Sequence, residues 1–249
     1  MADTYRIPFL NTYIDNLTAA EAKSCVDQLM KEPGYHYVVT PNTDIVVKMQ
    51  DDAELKAICE NADLILTDGQ IIVKLSRRYG TPIKERVCMT DFVWDVFDLA
   101  IEKKYKVFLF GGKEDVLFKA TENIKNKLPE LNIVDSYSPP FGFENDEKIL
   151  VEANERIRRS GADILIVFLG CPKQEKFIAN NKNKYQVPMS ITMGGCVDFI
   201  AGGVKRAPKW MQRAGLEWFF RFMQEPKRMW RRYFVDDMQI FKLARQYKK

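Results

Sequence analysis

Six short runs of β-branched and aromatic residues recur along roughly the first 200 positions, each closing on turn-forming residues. They are Tyr35–Thr40, Asp63–Thr67, Lys106–Phe110, Asn132–Tyr137, Asp163–Leu169 and Pro188–Met193. Between them lie stretches with apolar residues at helical spacing: Ala20–Met30, Thr43–Asn61, Asp91–Lys103, Lys113–Leu128, Asn145–Ser160 and Lys173–Asn183. Strands alternating with helices predict an α/β fold: a Rossmann-like α/β/α domain with a largely parallel sheet. Unbroken apolar runs such as Ile164-Leu-Ile-Val-Phe-Leu169 suit strands covered on both faces. In such sheets ligands bind beyond the carboxyl ends of the strands. Those ends carry Thr40-Pro-Asn-Thr-Asp44, Thr67-Asp-Gly69, Gly111-Gly-Lys113, Gly170-Cys-Pro-Lys-Gln174 and Met193-Gly-Gly-Cys196.

The pattern changes after Gly202-Gly203. Trp210, Trp218, Phe219, Phe220, Phe222, Trp230, Tyr233 and Phe234 interleave with arginines, and Pro208 and Pro226 mark helix starts. This predicts a boundary near residue 204, with an α/β domain over 1–204 and a helical appendage over 205–249. Charge divides at the same place. The chain has a formal net charge of +4, but residues 205–249 hold 13 Lys and Arg against 4 Asp and Glu. The body before them is mildly acidic. Such a tail suits an anionic membrane surface, phosphate-rich nucleic acid, or simple packing on the core, and tryptophans beside cations favour the lipid interface.

At 249 residues with 46% hydrophobic positions the chain is long enough to bury a core, and its longest apolar run, Ile164 to Gly170, is far short of a membrane span. The five cysteines are scattered with no C-x-x-C pair, and no apolar leader follows a basic start. These features predict a cytoplasmic protein with reduced thiols and no zinc site.

Nucleotide signatures are absent: there is no G-x-G-x-x-G, no G-x-x-x-x-G-K-[ST] and no D-x-D. No dinucleotide cofactor and no D-x-D-held metal are therefore expected, and a bound diphosphate must be neutralised by Lys, Arg and backbone N–H groups. Gly111-Gly112 and Gly194-Gly195 either bring backbone N–H groups to a pyrophosphate or make tight turns. His36 is the only histidine, which excludes Ser-His-Asp and Cys-His catalysis and leaves a carboxylate as general base. Asp68, at a strand end before Gly69, is the foremost candidate, with Asp44 and Asp198 behind it. Thr40 and Asn42 offer hydroxyl and amide groups suited to a sugar, or cap the helix that follows.

These strings together resemble the WecG/TagA/CpsF glycosyltransferases. The matching segments are Thr40-Pro-Asn-Thr-Asp44, Leu66-Thr-Asp-Gly69, Phe110-Gly-Gly112, Tyr137-Ser-Pro-Pro-Phe-Gly142, Gly170-Cys-Pro-Lys-Gln-Glu175, Met193-Gly-Gly195, Arg206-Ala-Pro-Lys-Trp210, Gly215-Leu-Glu-Trp218, Arg221 and Glu225-Pro-x-Arg228. The resemblance runs in order over about residues 6–235. It implies an inverting, metal-independent transferase that moves a sugar, foremost N-acetylmannosamine, from a UDP-sugar donor to an undecaprenyl-diphosphate-linked N-acetylglucosamine. It places the enzyme peripherally on the inner face of a bacterial membrane, in teichoic acid or capsule synthesis. It also implies Asp68 as base, Thr40 and Asn42 in the catalytic pocket, Gln174 beside it, and Arg213, Arg221 and Arg228 closing over the diphosphate. Off the membrane, the aromatic tail predicts self-association. The rivals are another donor sugar, an epimerase without its usual fingerprint, and a nucleic-acid-binding tail. The resemblance favours the transferase, with no nucleic acid as partner.

Overall fold

The computed structural model describes residues 5–247, and the side chains of Arg213 and Arg228 lie outside the described set. A short antiparallel hairpin, β1 (Arg6–Phe9) and β2 (Thr12–Asp15), precedes the main domain. There follow α1 (Ala19–Leu29), β3 (His36–Val39), α2 (Thr43–Lys48), α3 (Ala53–Glu60), β4 (Leu64–Ile65), α4 (Gln70–Arg78), α5 (Met89–Lys103) and β5 (Val107–Gly111). Next come α6 (Glu114–Lys127), β6 (Ile133–Tyr137), α7 (Glu147–Ser160), β7 (Ile164–Phe168), α8 (Lys173–Tyr185), β8 (Met189–Thr192) and α9 (Cys196–Ile200). The tail holds α10 (Lys209–Arg213), α11 (Glu217–Gln224), α12 (Pro226–Arg231), a π-helical turn over Arg232–Asp236, and α13 (Gln239–Gln246).

All six expected strands join one parallel sheet in the order β4-β3-β8-β7-β5-β6. Because successive strand residues point to opposite faces, alternate positions feed two cores. Val38, Leu109 and Ile166 pack with α1, α5, α6 and α9, whereas Tyr37, Phe110 and Val167 pack with α3, α7 and α8. The expected α/β/α layering follows.

Two local features differ from the sequence reading. The expected helix over Thr43–Asn61 is broken into α2 and α3, because the Asp52 side chain accepts from Leu55 N at 2.9 Å and starts a new helix. The hairpin went unpredicted, and it shields the β4 edge. Asp15 accepts Ile65 N at 2.7 Å and is held by Arg6 at 2.9 Å, so the edge strand finds its partner in a side chain.

The tail lies against the body. Ile240, Leu243 and Ala244 of α13 are buried in a third core with Phe9, Ile14, Val46, Val47, Ile72 and Val73. Tyr79 donates its hydroxyl to Ala244 O at 2.6 Å. Gly215 is buried at φ +71°, where a Cβ would lie 3.2 Å from Gln70 Cγ, so the tail backbone passes close over α4. Among the described residues no helix is long and apolar enough to cross a membrane.

Candidate active site

Beyond the carboxyl ends of β3 and β4 the tail roofs a cavity of about 640 Å³. Its floor comes from Asn42, Asp68, Gly69 and α4, and its roof from Glu217, Trp218, Phe220, Arg221, Arg232 and Phe234. Apolar surface dominates the walls, with Lys74, Arg78, Arg86, Lys205, Arg221 and Arg232 as the cations.

Asp68 sits there because the chain beyond β4 keeps to the end of β3, Leu66 N donating to Val39 O at 2.9 Å and Asp68 N to Pro41 O at 3.3 Å, before α4 begins at Gln70. Protein surrounds its carboxylate, yet 28% of the side chain stays open to the cavity. Desolvation pushes the Asp68 carboxyl up to about 6; Arg86, Met89 N–H and the Cys88 thiol pull it down, and Glu217 pushes it further up. Met89 N donates to Oδ2 at 3.3 Å, and Arg86 Nε stands 4.0 Å from Oδ1. A carboxylate tuned in this way takes a proton near neutral pH.

The remaining expected residues separate into three groups. Asn42 lines the cavity, and its Oδ1 caps α2 by accepting from Ile45 N at 3.2 Å, which is the capping reading. Arg221 also lines the cavity, stacks over Phe199 and has Nη2 3.3 Å from where a Cβ of Gly195 would stand. Glycine at 195 thus gives that guanidinium its room.

Thr40, Gln174 and Gly194 lie behind this surface. The Thr40 hydroxyl is buried and donates to Thr192 O at 3.2 Å, tying β3 to β8. Gln174 accepts from Gly194 N at 3.0 Å and donates to the buried Glu175 at 2.8 Å, joining the loops after β7 and β8. Gly111 and Gly112 are not among the cavity-lining residues. Gly111 has φ +99°, and a Cβ there would meet Leu169 Cδ2 at 2.8 Å, which is the tight-turn reading of that pair. The side chains of Arg213 and Arg228 lie outside the described residues.

Several charged residues at the site were not among the expected site residues. Arg86 sits in a segment without periodicity, and it pairs with Glu217 at 2.8 Å across 131 positions. Arg206 pairs with Asp91 and, at 3.3 Å, with Glu217. Arg232 and the buried Asp237 form a second charged group at the roof near Asp44 and Lys48, and desolvation pushes the Asp237 carboxyl up to about 6.

Comparison of the sequence with known proteins identifies the family. Residues 7–249 fit the model of the glycosyl transferase WecG/TagA/CpsF family. The chain belongs to this glycosyltransferase family. Two relatives bear the name N-acetylglucosaminyldiphosphoundecaprenol N-acetyl-beta-D-mannosaminyltransferase. The protein of Bacillus subtilis (strain 168) is 31% identical over 228 residues, which is 92% of this chain and 85% of that protein. The protein of Bacillus spizizenii (strain ATCC 23059 / NRRL B-14472 / W23) is 33% identical over 196 residues, 79% of this chain and 74% of that protein. Within the cavity, Asp68 is a partly open carboxylate raised to about 6 by desolvation.

Proposed function

We propose that this glycosyltransferase moves N-acetylmannosamine from a UDP-sugar to N-acetylglucosamine carried on undecaprenyl diphosphate. The names of the two Bacillus relatives support the acceptor and the transferred sugar. The observation that carries the catalytic reading is Asp68, a partly open carboxylate with its proton affinity raised to about 6 at the cavity floor. In this reading Asp68 takes the proton of the acceptor hydroxyl as that oxygen bonds to the donor's anomeric carbon. The bond to UDP breaks on the opposite face, so configuration inverts in one displacement. Charge developing on the leaving diphosphate falls to Arg221, Arg232 and neighbouring cations of the roof.

The roof's outer side supports peripheral attachment to the inner membrane face. Trp210, Met223, Trp230 and Val235 are each more than half exposed, beside Lys209, Lys227 and Arg231. Rings and cations in this mixture partition to an anionic interface, where the lipid acceptor resides.

The test is a panel of UDP-sugars on a short-chain prenyl-diphosphate N-acetylglucosamine acceptor, with and without anionic vesicles and chelator. Transfer from UDP-N-acetylmannosamine that persists in chelator is expected. Asp68→Asn should lose about 10²–10⁴-fold in kcat. Because the base must be deprotonated, the parent rate should rise with pH through about 6. Parental turnover by Asp68→Asn would refute the assignment.

A further inference from the structure

Arg86 stands between two carboxylates. Its Nη2 lies 2.8 Å from Glu217 Oε2, whereas its Nε is 4.0 Å from Asp68 Oδ1. Glu217 is in turn fixed from its other oxygen by Arg206 Nε at 3.3 Å, and Arg206 is held by Asp91 at the start of α5. All three of Arg86, Asp68 and Glu217 are largely enclosed, with 21%, 28% and 19% of their side chains exposed. The chain of charges Asp68–Arg86–Glu217–Arg206–Asp91 therefore runs from the strand end through the loop before α5, into α11 and back to the body.

We propose that Glu217 is a positioning residue that holds Arg86 away from Asp68 and so keeps the catalytic carboxylate basic. A guanidinium released from its second anion would close the 4.0 Å gap to a charge-assisted contact of about 2.8 Å. A carboxylate in such a pair is a weak base. The groups that face Asp68 are Arg86, Cys88 and Met89 N–H from the loop and start of α5, Cys196 from α9 and Glu217 from α11. Of these, Glu217 belongs to the tail. Asp68 is thus in its basic setting when α11 is seated, which ties proton transfer to closure of the roof.

The inference rests on Asp68 acting as base, so its main readout is independent of turnover. In protein carrying ¹³C-labelled Asp carboxyl groups, with the Asp68 signal assigned from Asp68→Asn, the parent midpoint is expected near 6. In Glu217→Gln it should move down toward the ordinary aspartate value, for two reasons with one sign: a negative neighbour is lost and Arg86 closes in. Glu217→Asp keeps the charge and should fall between the two, which guards against a Gln variant whose tail fails to seat. In the transfer assay the acid limb of Glu217→Gln should follow the same shift, with kcat at pH 7 down about tenfold and KM within about twofold. A midpoint that stays put or rises in folded Glu217→Gln and Glu217→Asp overturns the proposal. A midpoint that falls in Glu217→Gln while the parent transfers no sugar would leave the positioning role of Glu217 standing and remove the transferase reading instead.

Discussion

Ile240→Ala tests whether the tail folds as part of the body. Ile240 is fully buried in α13, in the third core with Leu243, Val46, Val47, Ile72 and Val73. Truncation to Ala removes three carbons, worth about 2.4 kcal/mol at ~0.8 kcal/mol per buried methylene, and the cavity left behind adds about 1 kcal/mol. The sum of about 3–4 kcal/mol corresponds to a Tm about 6–16 °C lower for a chain of this size. Urea unfolding followed by circular dichroism reads the change. Phe241→Ala serves as control, because Phe241 on the same helix is 41% exposed and should cost less than about 1 kcal/mol. If the tail were an independent appendage, Ile240→Ala would free it at low urea and leave the main midpoint unmoved. That result would refute the reading of α13 as a component of the common core, and it would make the boundary near residue 204 an energetic one.

Two further outcomes follow from buried polar groups. Burial raises the Glu175 carboxyl, so the folded chain keeps a proton that the unfolded chain releases above about 4.5. Stability at this residue is full below that pH and declines as pH rises toward the folded value, so the thermal stability of Glu175→Gln relative to the parent should improve between pH 5 and pH 8; a constant difference would contradict the sign. Thr40→Val removes the hydroxyl that donates to Thr192 O at 3.2 Å and should cost about 1–2 kcal/mol by denaturant titration. No loss there would show that the strand tie contributes nothing.

The parallel sheet was legible because its central strands are covered on both faces and therefore read as apolar runs; Ile164–Phe168 is buried at every position, whereas the edge strand β6 is only half-buried. The hairpin was not, since Arg6 and Asp15 look like ordinary surface charges until Asp15 meets the β4 edge 50 positions away. The division of Thr43–Asn61 is visible in principle as Asp51-Asp52, but apolar periodicity continues through it and masks the cap. At the site, Asp68 was readable from a strand end followed by glycine. Arg86 was not, and Glu217, although within the matching Gly215-Leu-Glu-Trp218 segment, gave no sign of its partner, because the pairing spans 131 positions.

The tail's charge also carried two populations that a count cannot separate. Arg206 and Arg221 turn inward, the first onto Asp91 and Glu217 and the second over Phe199 beside Gly195. Arg231, with 84% of its side chain exposed, turns outward among Trp230 and Val235. The same split governs the apolar residues: Ile240 and Leu243 complete a core while Trp210 and Met223 face solvent. An α-helix presents both faces at once, so one short segment can close a site and meet a surface without a separate module for each. The physical consequence is coupling. Under the proposed attachment, a force on the exposed Met223 is felt by α11, which also carries Glu217 against Arg86. The proposed attachment and the base strength then share one helix, and Met223→Ala, at a residue of α11 that is 64% exposed, is expected to weaken vesicle binding while leaving the Asp68 carboxyl midpoint near 6 in the seated state.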